Sequence, residues 1–474
     1  MNKNKHKSKY LFVDLDGSLI KTDLLFESFW SYFAKNNFAT IRCAYILMVH
    51  GLEALKAFLY KNSLIDVRNL PYNQKVLDFV ATWKKENSGE VILISASENN
   101  FVNEISNYLK IFDDAYGTET KNLKGKEKLF KIRSITNDQK FDYIGNSKDD
   151  IVIWQQSFNQ IIVNSNYWLK KKVQKNFLSN VFINEKPSLA RSLFRLIRIH
   201  QWSKNSLLFL PFLLGLAFSI DNFAGLSIGF ISFSLLASSF YIFNDLLDTQ
   251  NDRLHQTKKF RPISSGELSF KLITLTFFVL FFTSFYLSTY LNLYFQSVLV
   301  VYGVSNYLYS KHLKRIPVID ILALTFMYVV RIIAGAVIIM APVSNWLITF
   351  SAFFFLFLSA AKRLIEIKKL PESNSKARGY LKTDERFISN IVYFSSLISI
   401  LILCLYINSQ QVLLTYSRSN VLWAIPFILF YWVVDTLFKL ERGQVHDDPV
   451  TYALKNKNSY LSFILFCLVL FLAN

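Results

Sequence analysis

Asp14 and Asp16 stand two residues apart, followed by Gly17 and Ser18, at the end of the apolar, β-prone run 10–14. Phosphoryl chemistry uses such a pair directly. One carboxylate attacks phosphorus to form an aspartyl-phosphate, and the other protonates the leaving oxygen and later activates water. Gly17 permits the sharp turn that aims both. Further along, the run 90–94 ends in Ser95, whose hydroxyl suits a phosphate oxygen, and Lys128 follows Gly125 in a basic stretch. The run 141–145 leads into Asn146, Ser147, Lys148, Asp149 and Asp150, placing acid at a third strand end where a hard cation would sit between carboxylates and phosphate.

A second group lies far away. Asn244, Asp245, Asp248 and Asp252 are followed at once by Arg253, His255, Lys258, Lys259 and Arg261. On a helix, Asp245, Asp248 and Asp252 at i, i+3 and i+7 share one face. Crowded carboxylates repel unless a cation sits among them, and magnesium held by carboxylates commonly completes its shell with substrate phosphate oxygens. The basic cluster is placed to take the phosphate oxygens that the metal leaves unneutralised.

Different elements must carry these two groups. The chain has 474 residues, 52% of them hydrophobic and 45 of them phenylalanine, and only 18% charged, with a net charge of +19. Such a composition argues against a simple soluble enzyme and for charge concentrated between long apolar runs. Residues 1–190 read as an α/β domain of short strands and helices, with a helical cap over about 24–75 whose aromatic-rich core stretch is 24–63. The apolar face of 38–60 is expected either to pack as core or to touch the membrane. Residues 191–474 read as an all-α membrane bundle with nine spans at about 205–220, 226–243, 270–288, 293–309, 319–340, 345–361, 388–407, 420–438 and 457–473. The even-numbered connections hold most of the Lys and Arg, so by the positive-inside rule they and the first domain are expected in the cytoplasm, beneath a bacterial cytoplasmic membrane.

The same inner edge collects Lys204, Tyr309, Lys314, Asp320, Lys362, Arg363, Glu366, Asp447 and Asp448. Arg331 and Asp435 lie at membrane depth, where ionisable groups are costly unless used or paired, and their mutual pairing is one expectation. Cys43, Cys404 and Cys467 have neither disulfide nor metal-ligand spacing. No nucleic-acid partner is expected, and a homo-oligomer is compatible with the sequence.

In its first four motifs the chain resembles the haloacid dehalogenase (HAD) superfamily over about 10–165. The resemblance implies a Rossmann-like phosphatase with Asp14 as nucleophile, Asp16 as acid/base, Ser95 and Lys128 as phosphate holders, and Asp14 and Asp150 about a magnesium ion. Asn146 stands where many members have aspartate, which removes one charge near the metal. From about Arg195 onward the chain resembles the UbiA-type prenyltransferase superfamily, whose members bind a phosphorylated polyisoprenoid with magnesium at the cytoplasmic mouth of a nine-helix bundle. Where most members carry a second acid-rich motif, this chain has Lys362, Arg363 and Glu366, which substitutes direct phosphate binding for a metal site.

The stretches RIHQWSKN (198–205), NDLLDTQNDRLHQTKKFRPISSG (244–266), YSKHLKRIPVID (309–320), RIIAG (331–335) and AKRLIE (361–366) resemble the decaprenyl-phosphate phosphoribosyltransferase branch. That resemblance implies transfer of 5-phosphoribose from phosphoribosyl pyrophosphate to a polyprenyl phosphate. It implies magnesium at Asp245, Asp248 and Asp252, and substrate contacts among Lys204, Asn244, Lys258, Arg261, Tyr309, Lys314, Lys362 and Arg363. The first domain is then expected to remove the 5-phosphate of the product. The rival reading is an aromatic prenyltransferase using a prenyl diphosphate, with the first domain a phosphatase or regulatory module.

Overall fold

The computed structural model describes residues 8–165, 167–176, 180–184, 187–215, 218–371, 378–410, 412, 416–445, 449–453 and 456–473. Two compact units share the chain: Met1–Ile199 with Tyr241–Phe278, and His200–Phe240 with Val279–Asn474. Asp447 and Asp448, expected at the inner edge, lie outside the described residues.

In the first unit the short apolar runs become strands β1 (Tyr10–Val13), β2 (Glu90–Glu98), β3 (Asp114–Thr118), β4 (Phe141–Gly145), β5 (Gln160–Val163) and β6 (Asn180–Ile183). They form one parallel sheet in the order β3-β2-β1-β4-β5-β6. Parallel strands are covered on both faces, which explains why the central runs are continuously apolar. Leu11, Val13 and Leu93 fill one face with Val76, Val80 and Val102, while Phe12, Ile92 and Tyr143 fill the other with Ile132 and Trp154. The strand order reverses direction at β1, and in open α/β sheets ligands bind outside the carboxyl ends of strands at such a switch. Asp14 follows β1, Asn146 follows β4, and Ser95 lies within β2, three residues before its end.

The expected cap is two helices, Leu24–Lys35 and Ala39–Asn62, the second broken at Gly51, whose φ of 84° is non-helical. Asp23 starts the first by accepting from the backbone N–H groups of Leu25 and Phe26.

Long apolar helices make up most of the rest. Among the described residues seven helices are long and apolar enough to cross a membrane, and six of the nine expected spans fall on them: within Ile220–Leu254, Phe270–Ser288, Ile319–Ile338, Asn345–Lys368, Lys382–Ile407 and Ser419–Glu441. The seventh is Ala39–Asn62, in the cap. The expected span at 205–220 falls on a 3-10 stretch, Ile199–Phe209, and a five-residue helix, Leu210–Leu214, with 216–217 outside the described residues. Pro211 starts that helix, where its missing N–H costs no hydrogen bond, and polar Lys204 and Asn205 are buried just before it. The spans expected at 293–309 and 457–473 are the helices Leu293–Lys311 and Lys457–Ala473, the latter shorter than those that qualify.

Candidate functional site

The first cluster is built at the strand ends of the α/β sheet. Asp14 is 7% exposed; its Oδ1 lies 2.6 Å from Lys128 Nζ, and its Oδ2 accepts from the Ser18 hydroxyl at 3.1 Å. Lys128 comes from the helix Lys126–Thr136 and also donates to the Tyr143 hydroxyl at 3.2 Å. Gly17, at φ 75°, turns the chain under the Asn146 side chain, where a Cβ would meet Nδ2 at 1.9 Å. Asp16 turns to the neighbouring strand: its Oδ2 accepts from the hydroxyls of Ser97 and, at 3.3 Å, Ser95, and its Oδ1 accepts from the Leu24 N–H at 2.9 Å. The acid/base candidate therefore also tops the first cap helix.

Burial pushes the Asp14 carboxyl up to about 7, with Lys128 opposing the shift and Asp150 adding to it. Burial likewise raises Asp16 to about 6, with Asp23 contributing and the Ser97 and Leu24 hydrogen bonds opposing. For Lys128, burial works against the charge, but Asp14 and Asp150 outweigh it and hold the ammonium above its ordinary range. Both carboxyls are thus shifted toward neutrality, Asp14 further than Asp16, as expected of buried acids in a site that handles protons, while Lys128 favours the ionised form of Asp14.

Asp150 is placed differently from a simple strand-end acid. Its Oδ1 accepts from the Tyr143 hydroxyl at 2.7 Å, and its Oδ2 from the N–H groups of Asn146 and Ser147 and the Ser147 hydroxyl at 3.0, 2.8 and 2.9 Å. It fixes the turn after β4. Sequence reading missed Ser97, which period-two spacing from Ser95 on one strand would have revealed, and Tyr143, two residues before Gly145 on β4. It also missed Lys56, which reaches from the cap to the Ala96 carbonyl at 2.5 Å and Asn122 Oδ1 at 3.0 Å.

The second cluster belongs to the same unit, on the last turns of Ile220–Leu254 and the turn beyond. Asp245 and Asp252 are buried, and a single nitrogen, Arg261 Nη1, lies 3.0 Å from Asp245 Oδ1 and 2.5 Å from Asp252 Oδ2. Arg198 Nη2 donates to both oxygens of Asp245, at 2.6 and 2.5 Å, and its guanidinium lies over the Tyr241 ring. Asn244 Nδ2 donates to Asp248 Oδ2 at 3.1 Å. Thus two of the three expected acids, Asp245 and Asp252, meet at one guanidinium nitrogen, while Asp248 accepts from Asn244. Arg198, quoted in a motif but not assigned, is the residue missed here.

Magnesium takes hard oxygen donors and is often held by one or two carboxylates plus phosphate oxygens and water. Asp245 and Asp252 converge on one point of positive charge, so their donor chemistry and direction fit that ion. Among the described residues no three His, Cys, Asp or Glu side chains gather tightly enough to hold a metal alone. Phosphate and water would have to complete the shell.

In the second unit, Asp320 is fully buried and accepts from Arg363 Nε and, at 2.5 Å, from the Tyr380 hydroxyl. Arg363 is 1% exposed and also donates to Glu366 Oε2 at 2.7 Å and to the Tyr309 hydroxyl at 2.9 Å, which Arg378 joins at 3.0 Å. The structure brings Tyr309 and Arg363 together but gives the Arg363 fork to protein groups, so its first role is to orient this network. Lys362 is half-buried on the adjacent position, Lys204 and Lys314 are buried in the 3-10 turns Ile199–Phe209 and Leu313–Arg315, and Lys258 is half-buried in the turn Lys258–Phe260. The expected pairing of Arg331 with Asp435 does not form. Arg331 donates to Asn205 Oδ1 at 2.9 Å and the Tyr302 hydroxyl at 2.8 Å among the rings of Phe233, Tyr302 and Tyr328, while Asp435 pairs with Lys439 at 2.6 Å. Aromatic faces and an amide replace a counter-ion, which removes the need for a buried carboxylate.

Residues 208–449 match the model of the UbiA prenyltransferase family. An uncharacterized protein, y4nM of Sinorhizobium fredii, is 30% identical over 457 residues, covering 95% of this chain and 88% of the relative. Decaprenyl-phosphate phosphoribosyltransferase of Mycobacterium tuberculosis is 31% identical over 221 residues, covering 44% of this chain and 73% of the relative. Among solved structures, a UbiA homolog from Archaeoglobus fulgidus bound to DMAPP and Mg2+ aligns with a TM-score of 0.42 at 18% identity, over 58% of this chain and 99% of that one.

Proposed function

This chain belongs to the UbiA prenyltransferase family, is an integral membrane protein and is homologous to decaprenyl-phosphate phosphoribosyltransferase; from that premise we propose that it transfers 5-phosphoribose from phosphoribosyl pyrophosphate to a polyprenyl phosphate, and that its first domain hydrolyses the 5-phosphate of the product. The observation that carries the transferase reading is the convergence of Asp245 and Asp252 on one cationic nitrogen. A polyprenyl phosphate oxygen attacks C1 of the ribose, the C1–O bond to pyrophosphate breaks, and pyrophosphate departs. Asp245, Asp248 and Asp252 would hold magnesium, which would supply charge to stabilise the leaving group. Arg261 and Arg198 exchange carboxylate oxygens for phosphate oxygens as the donor enters, and Lys258 adds positive charge; Lys204, Lys314 and Lys362, on the second unit, are proposed as further phosphate contacts in their own right. Asn244 holds Asp248 in position, and Arg363 holds Tyr309.

In the first domain Asp14 attacks the phosphorus of the 5-phosphate, the ester P–O bond breaks, and Asp16 delivers its proton to the leaving ribose oxygen. Asp16 then takes a proton from a water whose oxygen attacks the aspartyl phosphorus, and the P–O bond to Asp14 breaks to release phosphate and restore the carboxylate. Lys128 and Ser95 hold the phosphate oxygens, and Asp150 keeps the turn that carries Asn146. The active sites of both domains face the cytoplasm on this reading, so the second step receives the product of the first. Purified protein given polyprenyl phosphate and phosphoribosyl pyrophosphate should release pyrophosphate. Release only with a prenyl diphosphate and an aromatic acceptor would overturn the proposal in favour of ring prenylation.

A further inference from the structure

The cap holds an apolar surface that neither reaction uses. Its two helices enclose a small core of their own, in which Tyr32, Ala39, Cys43, Leu55 and Leu59 are buried against Phe29, Phe33 and Phe58. Outside that core, residues 38–50 leave large apolar side chains bare: Phe38 is 75% exposed, Ile41 71% and Met48 85%, with Tyr45, Leu47 and Val49 beside them. The kink at Gly51 then turns the chain toward the sheet. Beyond it Lys56 bonds the carbonyl of Ala96, next to Ser95, and the Tyr60 ring packs edge-on against Phe101 at 4.7 Å. The second half of the helix is therefore committed to the α/β core. The first half, about 12 residues or roughly 18 Å long, is too short to cross a hydrocarbon layer of about 30 Å.

What covers the bare surface follows from the helix beside it. Leu24–Lys35 stacks Phe26 on Phe270 at 5.9 Å and sets Trp30 and Phe33 edge-on to Phe243, each at 6.2 Å. Phe243 and Phe270 belong to Ile220–Leu254 and Phe270–Ser288, both long and apolar enough to be membrane spans. Phe33 also packs on the cap core to which Ala39 and Cys43 belong, so the helix bearing the exposed face shares a core with a helix packed on membrane helices. Arg42 lies within it and Lys35 just before it, as headgroup-level cations would. We infer that residues 38–50 form a wedge seated in the bilayer interface, which fits the Asp14 site to phosphate monoesters carried on membrane lipid and sets it apart from soluble ones. This inference rests on the phosphatase reading above and names its substrate class.

Full-length protein in nanodiscs provides the test. Bimane attached through Met48→Cys, in a chain with Cys43, Cys404 and Cys467 replaced by alanine, should lose at least half its fluorescence to doxyl-labelled lipid, while bimane attached through Lys85→Cys should not. Equal, weak quenching at both positions overturns the inference. In a second arm, Ile41→Asp and Met48→Asp should leave hydrolysis of p-nitrophenyl phosphate within twofold of the parent but lower phosphate release from vesicle-borne polyprenyl-phosphoryl 5-phosphoribose at least tenfold. Equal effects on the two substrates, or none on either, overturn it as well. Survival of p-nitrophenyl phosphate hydrolysis in Asp14→Asn strikes the phosphatase reading instead, and the quenching result then still decides whether the wedge meets lipid.

Discussion

Glu27 and Arg253 form a two-point ion pair across 226 residues of sequence, with Arg253 Nη1 and Nη2 each 2.7 Å from a Glu27 oxygen and both side chains at most 4% exposed. Gln250 and Thr22 also donate to that carboxylate, and Arg253 Nε bonds the Ser264 carbonyl. The pair joins the helix Leu24–Lys35, whose first N–H bonds Asp16, to the residue after Asp252. It ties the scaffolds of the two candidate sites within one unit.

Cutting one side of this pair leaves the other charge buried without compensation. Arg253→Ala and Glu27→Ala should each destabilise the first unit by about 3–5 kcal/mol, and the double variant should cost less than the sum of the two. Thermal melting in detergent, followed by tryptophan fluorescence, measures this. Additive losses would mean that the two side chains do not act on each other.

Loss of the candidate nucleophile should separate the two reactions. Asp14→Asn should lower phosphate release by about a thousandfold or more while leaving pyrophosphate release within twofold, so that the phosphorylated lipid product accumulates. Chromatography of the extracted lipid reads this out, and identical product patterns from parent and variant would dissociate the two domains functionally.

The acids of the second cluster should do the converse. Asp245→Asn and Asp252→Asn are each expected to reduce pyrophosphate release by about a hundredfold or more, the range seen when a stabiliser of developing charge is lost, with p-nitrophenyl phosphate hydrolysis unchanged. Raising magnesium should partly restore the weaker-binding variant. Unaltered rates at saturating magnesium would remove these residues from the donor site.

Asp16 makes stability depend on pH in a definite direction. Burial raises its carboxyl from 3.8 to about 6, so the folded protein holds this proton more tightly than the unfolded chain. The contribution is complete below pH 3.8 and is lost as pH rises to about 6. Asp16→Asn escapes that loss, so in metal-free protein it should gain about 1–3 kcal/mol relative to the parent between pH 4 and pH 7. Melting curves across that range decide the matter, and a constant difference between the two proteins would refute it.

Local order was legible where spacing along the chain dictates it. Short apolar runs before Asp14 and Asn146 identified two strand ends, and the run before Ser95 identified β2, though that strand continues to Glu98, because burial on both sheet faces demands uninterrupted apolar residues there. Helical period placed Asp245 and Asp252 on one face, and the length of the apolar runs marked most of the membrane helices. At 205–220 composition over a window did not register that Pro211 and the buried Lys204 and Asn205 break the stretch into a 3-10 segment and a five-residue helix.

Which charges neutralise which was decided only by tertiary structure. Arg198 with Asp245, Arg261 with two aspartates at once, Glu27 with Arg253, and Arg331 with Asn205 and aromatic rings are all contacts between distant segments or across a turn. A buried charge takes whichever partner the packing brings within about 3 Å, at a strength that falls with distance and rises with burial. Residue type and spacing therefore reveal that a charge needs a partner, while the fold chooses the partner.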